Sequence, residues 1–484
     1  MSSNIYLEDN FAPVAEERTV TELAVTGSIP DHLDGRYLRN GPNPIGEVDP
    51  ATYNWFMGDG MVHGVRLREG RAEWYRNRWV RSPNALAALG EPRRNGRPHR
   101  AGFEVVGANT NIVGHAGRTL ALVEGGAASY ELTDTLDTVG PCDFDGTLPG
   151  GYTAHPQRDP DTGELHAVSY FFGRGNTVRY SVIGVDGRCR RTVDIKVTGS
   201  PMMHNFSLTE NHVVFYDLPV TFDTRQAVQA VVPPLLRAPA QLVLSAIIGK
   251  VRIPDPIAAM AIGSLTANAG LPYRWNPRYP ARIGVMPREG GNADVRWFEV
   301  EPCYVFHPMN AYDDGQSIVL DIVRHASTFD TDLRGPGDAA PTLDRWTVDL
   351  NAGKVREERL DDRPQEFPQV DERLVGRRHR YGYTPELGIE GEPGSALLKH
   401  DLRGHKTTRR DFGRGKEAGE FVFEPNALDA AEDDGVLMGF VYDKAESRSD
   451  LMILDAANLE TVAAVHLPTR VPNGFHGNWI PNAG

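Results

Sequence analysis

Cysteine is scarce in this chain. Three occur in 484 residues, Cys142, Cys189 and Cys303, far apart and without a Cys-x-x-Cys pair. That usage excludes a disulfide framework and a thiolate zinc cluster and suits a reducing compartment, with each thiol read as a small buried apolar group. Positive charge is also in deficit, with 51 Lys+Arg against 65 Asp+Glu and a formal net charge of −14. Nucleic acids and anionic headgroups are bound through Lys/Arg clusters, so no nucleic-acid partner is expected. The one dense basic stretch, Arg373 to Arg380 (RLVGRRHR), carries no nucleic-acid-binding motif and reads as a local surface feature. The opening residues, MSSNIYLEDNFAPVAEE, show no basic stretch followed by an apolar core. The sequence therefore reads as that of a cytoplasmic protein.

What is present is globular and rich in turns. Hydrophobic residues make up 40% and charged residues 24%, enough for a sizeable core. Several segments share a cadence of apolar strand, acidic or glycine turn, and second apolar strand. They are RYSVIGVDGRC (179–189), RWTVDLNAGKV (345–355), LMILDAANLETVAAVHLP (451–468) and, more loosely, ASYELTDTLDTVG (128–140). Period-two alternation, as at Trp346, Val348 and Leu350, places side chains on alternate faces of a sheet. Asp-Gly turns recur at 145–146, 186–187, 314–315 and 434–435. Degenerate strand–turn–strand units over this length predict an all-β fold of the propeller type, in which radial repetition protects the sheet edges. A large sandwich or two all-β domains would give a similar texture. Length alone suggests more than one domain, but closed β folds run longer as one unit, and 1–484 is read as a single propeller domain.

Residues 226–265 stand apart, rich in Ala, Val, Leu and Ile. The uncharged run at their apolar centre, Ala238 to Gly249, is about twelve residues, short of the roughly 20 that span a bilayer. Prolines at 233, 234, 239, 254 and 256 break the segment into short helices. It is expected to form a lid over the sheets, a greasy patch that dips into a membrane or receives a lipid-like substrate, or both.

Four of the fifteen histidines share a setting: His155 in GGYTAHPQ, His204 in GSPMMHNFS, His307 in PCYVFHPMNAY and His476 in PNGFHGNW. Each follows an apolar or small residue and precedes Pro, Gly or Asn, as at a strand end entering a turn. A buried neutral imidazole needs its nitrogens satisfied, and metal ligation satisfies one. The separations of 49, 103 and 169 residues match no local zinc pattern, so a shared metal requires the fold to gather distant segments. Four imidazoles could hold iron, copper, nickel or zinc on affinity grounds. His32, His99, His115, His166, His212, His379, His400 and His405 lie in polar surroundings and read as solvated. His63, His325 and His466 adjoin apolar strands and read as hydrogen-bonded structural residues.

These contexts resemble the carotenoid cleavage oxygenase family, which also includes stilbene-cleaving oxygenases and a retinoid isomerase. The resemblance runs along nearly the whole chain: GRYLRNGPNP (35–44), WFMGDGMVHGVRL (55–67) and GANTNIVGHAGRTLALVEGG (107–126), then the histidine strings, EFPQVDERLVGRRHRYGY (366–383), AEDDGVLMG (431–439) and VPNGFHGNW (471–479). It implies a seven-bladed propeller with a helical dome, an iron(II) ion on the axis held by His155, His204, His307 and His476, and O2 as co-substrate. It further implies second carboxylates behind the ligands, mapped by motif to Glu124, Glu366 and Glu420, with Glu424 the less fitting neighbour. Thr110, in the GANTN string, falls where a small side chain limits the open positions at the metal.

The implied reaction is oxidative cleavage of a conjugated C=C bond of a lipophilic polyene into carbonyl products. Stilbene-cleaving relatives resemble one another in placing a lysine where this chain has Val123, which disfavours a stilbenoid and favours a carotenoid or apocarotenoid. Peripheral membrane contact through 226–265 fits the same substrate class. Stilbenoid cleavage, non-oxidative retinoid chemistry and a catalytically silent carotenoid-binding propeller are the competing readings. Trp55, Phe56, Phe103, Tyr304 and Phe306 are candidate tunnel-lining residues.

Overall fold

The structure is a computed structural model that describes residues 4–93, 99–104, 107–253, 258, 271–337, 340–388 and 393–482. Among these residues, seven antiparallel sheets of three to five strands form the blades of a propeller, with one further two-stranded ribbon, Val220–Phe222 with Tyr273–Trp275. The repeats read from sequence are blade hairpins: Thr177–Ile183 pairs with Cys189–Lys196, Thr342–Asp349 with Lys354–Asp361, and Arg448–Asp455 with Thr461–His466. Within a blade, side-chain exposure follows position. Gly435–Asp443, in mid-blade, is buried at all but its last residue, whereas the edge strand Lys406–Asp411 is mostly exposed. Neighbouring blades pack face to face through these buried strands, with Trp346, Tyr180 and Phe215 among the large side chains fully enclosed.

Both chain ends close the ring. Gly477–Pro481 forms the inner strand of the blade built on Gly35–Pro42, Gly60–Arg68 and Arg71–Trp79, to which Arg18–Val20 adds the outer edge. Ala24–Gly27 is the outer strand of the preceding blade, beside Thr461–His466. Residues far apart in sequence are thereby hydrogen-bonded, which ties the two ends of the chain into the same two blades.

Among the described residues the α-helices are few, and one, Pro83–Ala88, lies apart in sequence from the apolar segment. Thr224–Val231 and Arg237–Ile247 come from the apolar segment 226–265, and prolines delimit them as expected, with Pro239 tolerated because it sits in a first helical turn. Positions 254–257 and 259–265 of that segment lie outside the described residues. No side chain of the second helix is buried, and Leu235, Leu236, Leu242, Val243 and Val251 are exposed, so this face of the dome is an uncovered apolar patch. Among the described residues no helix is long and apolar enough to cross a membrane.

The basic stretch is local stitching. Arg373 pairs with Asp371, Arg377 with Asp161, Arg378 with Asp314 at 2.7 Å, and Arg380 with Asp401 at 2.6 Å. The histidine reading needs correction at four positions. His115, His166, His379 and His400 are buried rather than solvated, because adjoining strands and blades cover flanks that look polar in sequence. At least one nitrogen of each finds a partner: His115 Nε2 with the Gly184 carbonyl at 2.8 Å, His166 Nδ1 with the Tyr180 hydroxyl at 2.6 Å, His379 Nδ1 with the Asn310 amide at 3.2 Å, and His400 Nε2 with Thr384 Oγ1 at 2.9 Å.

Burial lowers the pKa of His166 to about 4, with Arg288 adding to the effect, and that of His400 to about 4 against the opposing pull of Asp361. Each stays neutral in the folded chain and takes up a proton near 6.5 once unfolded. The unfolded state therefore binds more protons below that pH, and stability is lost as pH falls from about 6.5 toward 4. Urea unfolding at pH 7 and pH 5 should show a loss on the order of 1–2 kcal/mol per histidine. The slope should shrink in a His166→Gln/His400→Gln variant. Equal stability at the two pH values would contradict the burial of these imidazoles.

Candidate metal centre

The four singled-out histidines occupy one structural position in four blades. His307 and His476 immediately precede the inner strands Pro308–Asp314 and Gly477–Pro481, and His155 and His204 lie two residues before Gln157–Arg158 and Phe206–Leu208. They stand at strand starts, not at the strand ends that their following Pro, Gly and Asn residues suggested. Proline is compatible with the first residue of a strand, where no ladder donor is lost. Inner strands of a propeller run in the same direction, so four equivalent starts converge on one end of the axis. All four side chains are buried, and one ligand nitrogen of each lies within 4.8 Å of the others.

The carboxylates fix which nitrogen faces the axis. His307 Nδ1 donates to Glu366 at 2.6 Å and His476 Nδ1 to Glu420 at 3.0 Å. His204 Nδ1 lies 2.9 Å from Glu124 in a less aligned contact, outside hydrogen-bond geometry. With the proton on Nδ1, the Nε2 lone pair is free to point inward. The inward atoms have no protein acceptor: His155 Nε2 is buried without a partner, and His204 Nε2 faces His307 Nε2 at 3.3 Å. Two lone pairs converging at that distance, beside an orphaned third nitrogen, are what a cation would reconcile. The donor set fits a metal ion.

Local features aim the carboxylates. Glu420 sits where the pairing of Lys416–Pro425 with Gly435–Asp443 slips between Ala418 and Phe421, a bulge that turns its side chain to the axis. It accepts also from Gln369 at 2.8 Å and from the Gly477 amide at 2.7 Å. Glu424, four residues on, does not face a histidine of the centre. Glu366 precedes Phe367, whose φ of 50° is left-handed backbone that a non-glycine adopts at a cost of order 1–3 kcal/mol. That turn stacks the Phe367 ring on His307 with centroids 5.4 Å apart.

Electrostatics agree with neutral imidazoles facing ionised carboxylates. Burial, with the other three histidines adding to it, holds His155 well below the usual imidazole range. Burial brings His307 down to about 4 despite the opposing Glu366. Burial would raise Glu366 and Glu420, but contacts with His307 and His325 in one case, and with His476, the Gly477 amide and Gln369 in the other, hold both below the usual carboxylate value.

Sequence reasoning missed two partners. His325 was assigned only a generic structural hydrogen bond, yet its Nε2 donates to the second oxygen of Glu366 at 2.7 Å, making a His307–Glu366–His325 relay. Gln369 lies in the quoted EFPQ string and carried no separate signal. Thr110 is buried beside the centre, its hydroxyl bonded to Asn109 at 3.0 Å and its carbonyl accepting the His476 amide at 3.1 Å.

Beside the centre lies an apolar cavity of about 190 Å³, bordered by His204, His307 and His476. Trp55, Phe56 and Phe306 line it as expected, but Phe103 and Tyr304 do not. Phe103 packs on Phe171 at 4.9 Å and Tyr304 bonds the Met202 carbonyl at 2.9 Å, so core packing uses both rings. Tyr170, Phe172, Tyr273, Phe367 and Phe475 take their places. Val123 and Thr110 also border the cavity, and no lysine does among the described residues.

The profile of the family described as Retinal pigment epithelial membrane protein matches residues 11–481. A carotenoid cleavage oxygenase of Mycobacterium tuberculosis is 60% identical over 99% of this chain and 98% of its own. The chain belongs to the carotenoid cleavage oxygenase family. Among solved structures, a variant of the Synechocystis apocarotenoid oxygenase superposes with a TM-score of 0.80 at 27% identity, covering 98% of each chain. The Pseudomonas brassicacearum lignostilbene dioxygenase gives 0.80 at 25% identity, covering 100% of each. These likenesses extend over the entire ring, so the family's seven-bladed architecture and the blade count seen here agree.

The relay generates a prediction. Replacing His325 by Phe should leave the blades folded yet weaken metal affinity by about 10-fold or more, measured by chelator competition. Unchanged affinity would show that Glu366 needs no second histidine.

Proposed function

We propose that His155, His204, His307 and His476 hold an iron(II) ion and that the protein uses O2 to cleave a conjugated C=C bond of a carotenoid or apocarotenoid into two carbonyl fragments. The observation that carries this reading is the abutment of an all-imidazole centre on an apolar, aromatic-lined cavity. Iron(II) held there would supply the redox chemistry that activates O2 beside the double bond.

The rest is the work of this chain's side chains. Glu366 and Glu420 keep the His307 and His476 protons on Nδ1, and Glu124 lies 2.9 Å from His204 Nδ1 and turns that ring the same way, so these three imidazoles stay neutral and correctly turned. Phe306, Phe367 and Phe475 exclude water and hold an apolar polyene by packing alone, leaving its position to be set by cavity length. Thr110, with its hydroxyl committed to Asn109, presents no free proton donor and serves to limit the open positions at the metal.

Val123 at the cavity wall, and the absence of lysine from the described lining, leave no ammonium to grip a phenol oxygen as a stilbenoid would require, and the lining's Arg39 is engaged by the Pro472 carbonyl. The exposed Leu235, Leu236, Leu242 and Val243 form a surface suited to peripheral membrane contact, by apolar insertion more than by headgroup charge, from which a lipophilic substrate would be drawn.

Iron-loaded protein should be given carotenoids and apocarotenoids of stepped length, a retinyl ester and a resveratrol-like stilbene under isotopically labelled O2, with products identified by mass spectrometry. Labelled aldehydes or ketones from the polyenes are expected. Turnover of the stilbene alone, or products free of label, would overturn the assignment.

A further inference from the structure

The histidine ring separates two cavities of opposite character. The apolar cavity is bordered by His204, His307 and His476 but not by His155. On the other side lies a larger space of about 630 Å³, bordered by His155, His307 and His476 but not by His204. Its wall is rich in side-chain amides, among them Asn111, Gln157, Asn205, Asn310 and Asn478, and it reaches solvent past the exposed Gly117 and Glu372. The mechanism proposed above does not use this space.

We infer that this polar channel is the route by which a divalent metal ion reaches the four histidines, entering from the face opposite the apolar cavity. The inference rests on reading those histidines as metal ligands.

The physical argument is one of dehydration. A divalent cation travels with bound water and sheds it only where other oxygen or nitrogen donors take over. The aromatic cavity offers few, whereas in the channel Gln157, Asn205 and Asn310 each accept one protein hydrogen bond and keep a second lone pair, which with the channel's carboxylates can replace water step by step toward the ring.

The channel's charges favour a cation where they are free. Its arginines are committed to the protein: Arg36 to Thr119 and Asp134, Arg118 to Asp145, and Arg158 to backbone carbonyls. Glu424 is not so committed. Burial, followed by the nearby Glu372 and Asp371, pushes its carboxyl up to about 7, and the opposing Arg373 is already engaged by Asp371. A half-buried carboxylate short of positive charge, on the wall between solvent and the ring, is a natural way-station for a cation. Metal exchange and occupation of the apolar cavity would then proceed independently, one from each face.

Apoprotein should be mixed anaerobically with Fe(II), and free metal trapped at timed intervals with a chromogenic chelator. Glu424→Lys and Val113→Trp, which reverse the charge and narrow the channel, should each slow uptake by about tenfold or more. Both should still reach the wild-type stoichiometry at saturation. Leu387→Trp, which narrows the apolar cavity, should load at the wild-type rate. Slowed loading in Leu387→Trp, or wild-type rates in both channel variants, would overturn the route. Wild-type protein that never binds Fe(II) would instead overturn the metal centre itself.

Discussion

Everything in the centre depends on four imidazole rings presenting Nε2 to one point. Left without a cation, that arrangement is unfavourable: His155 Nε2 has no partner and two other Nε2 atoms face each other at 3.3 Å. What sustains it is the donation of the His307 and His476 Nδ1 protons outward to the buried Glu366 and Glu420, together with a ring of blades stiff enough to keep the rings from turning away. The carboxylates are held in turn. Glu366 is bonded by His325, and Glu420 by Gln369 and the Gly477 amide, so the order of the centre propagates several residues into the inner strands.

The propeller solves a problem that sequence spacing leaves open. Histidines 49, 103 and 169 residues apart cannot form a local motif, but at or just before the starts of inner strands they occupy equivalent places around an axis. Closure by Gly477–Pro481 and by Ala24–Gly27 matters for the same reason, since His476 is set by the strand that completes the ring. The axis also divides the surroundings. An aromatic-lined cavity borders His204 and an amide-rich one borders His155, so one centre meets an apolar and a polar environment at once.

Much of this was legible in the sequence. Period-two alternation and acidic turns pointed to the hairpins, and the ordered strings around the histidines singled out the four that the fold gathers and the carboxylates that lie behind three of them. Other features were not, because tertiary contacts decide them. His115, His166, His379 and His400 sit among polar neighbours in sequence, and only the packing of adjoining strands and blades buries them. Phe103 and Tyr304 look like their aromatic neighbours, yet core packing rather than the cavity uses their rings. His325 and Gln369 take their meaning from carboxylates 41 and 51 residues away. The strand starts were mistaken for strand ends because Pro and Gly punctuate both.

The most direct test of the central claim is X-ray absorption spectroscopy at the iron edge on anaerobically purified protein. The account predicts a stoichiometric iron(II) whose nearest shell is nitrogen, with the outer-shell scattering pattern of several imidazole rings. A shell dominated by carboxylate oxygen or by sulfur, or well-folded protein that retains no iron, would contradict it.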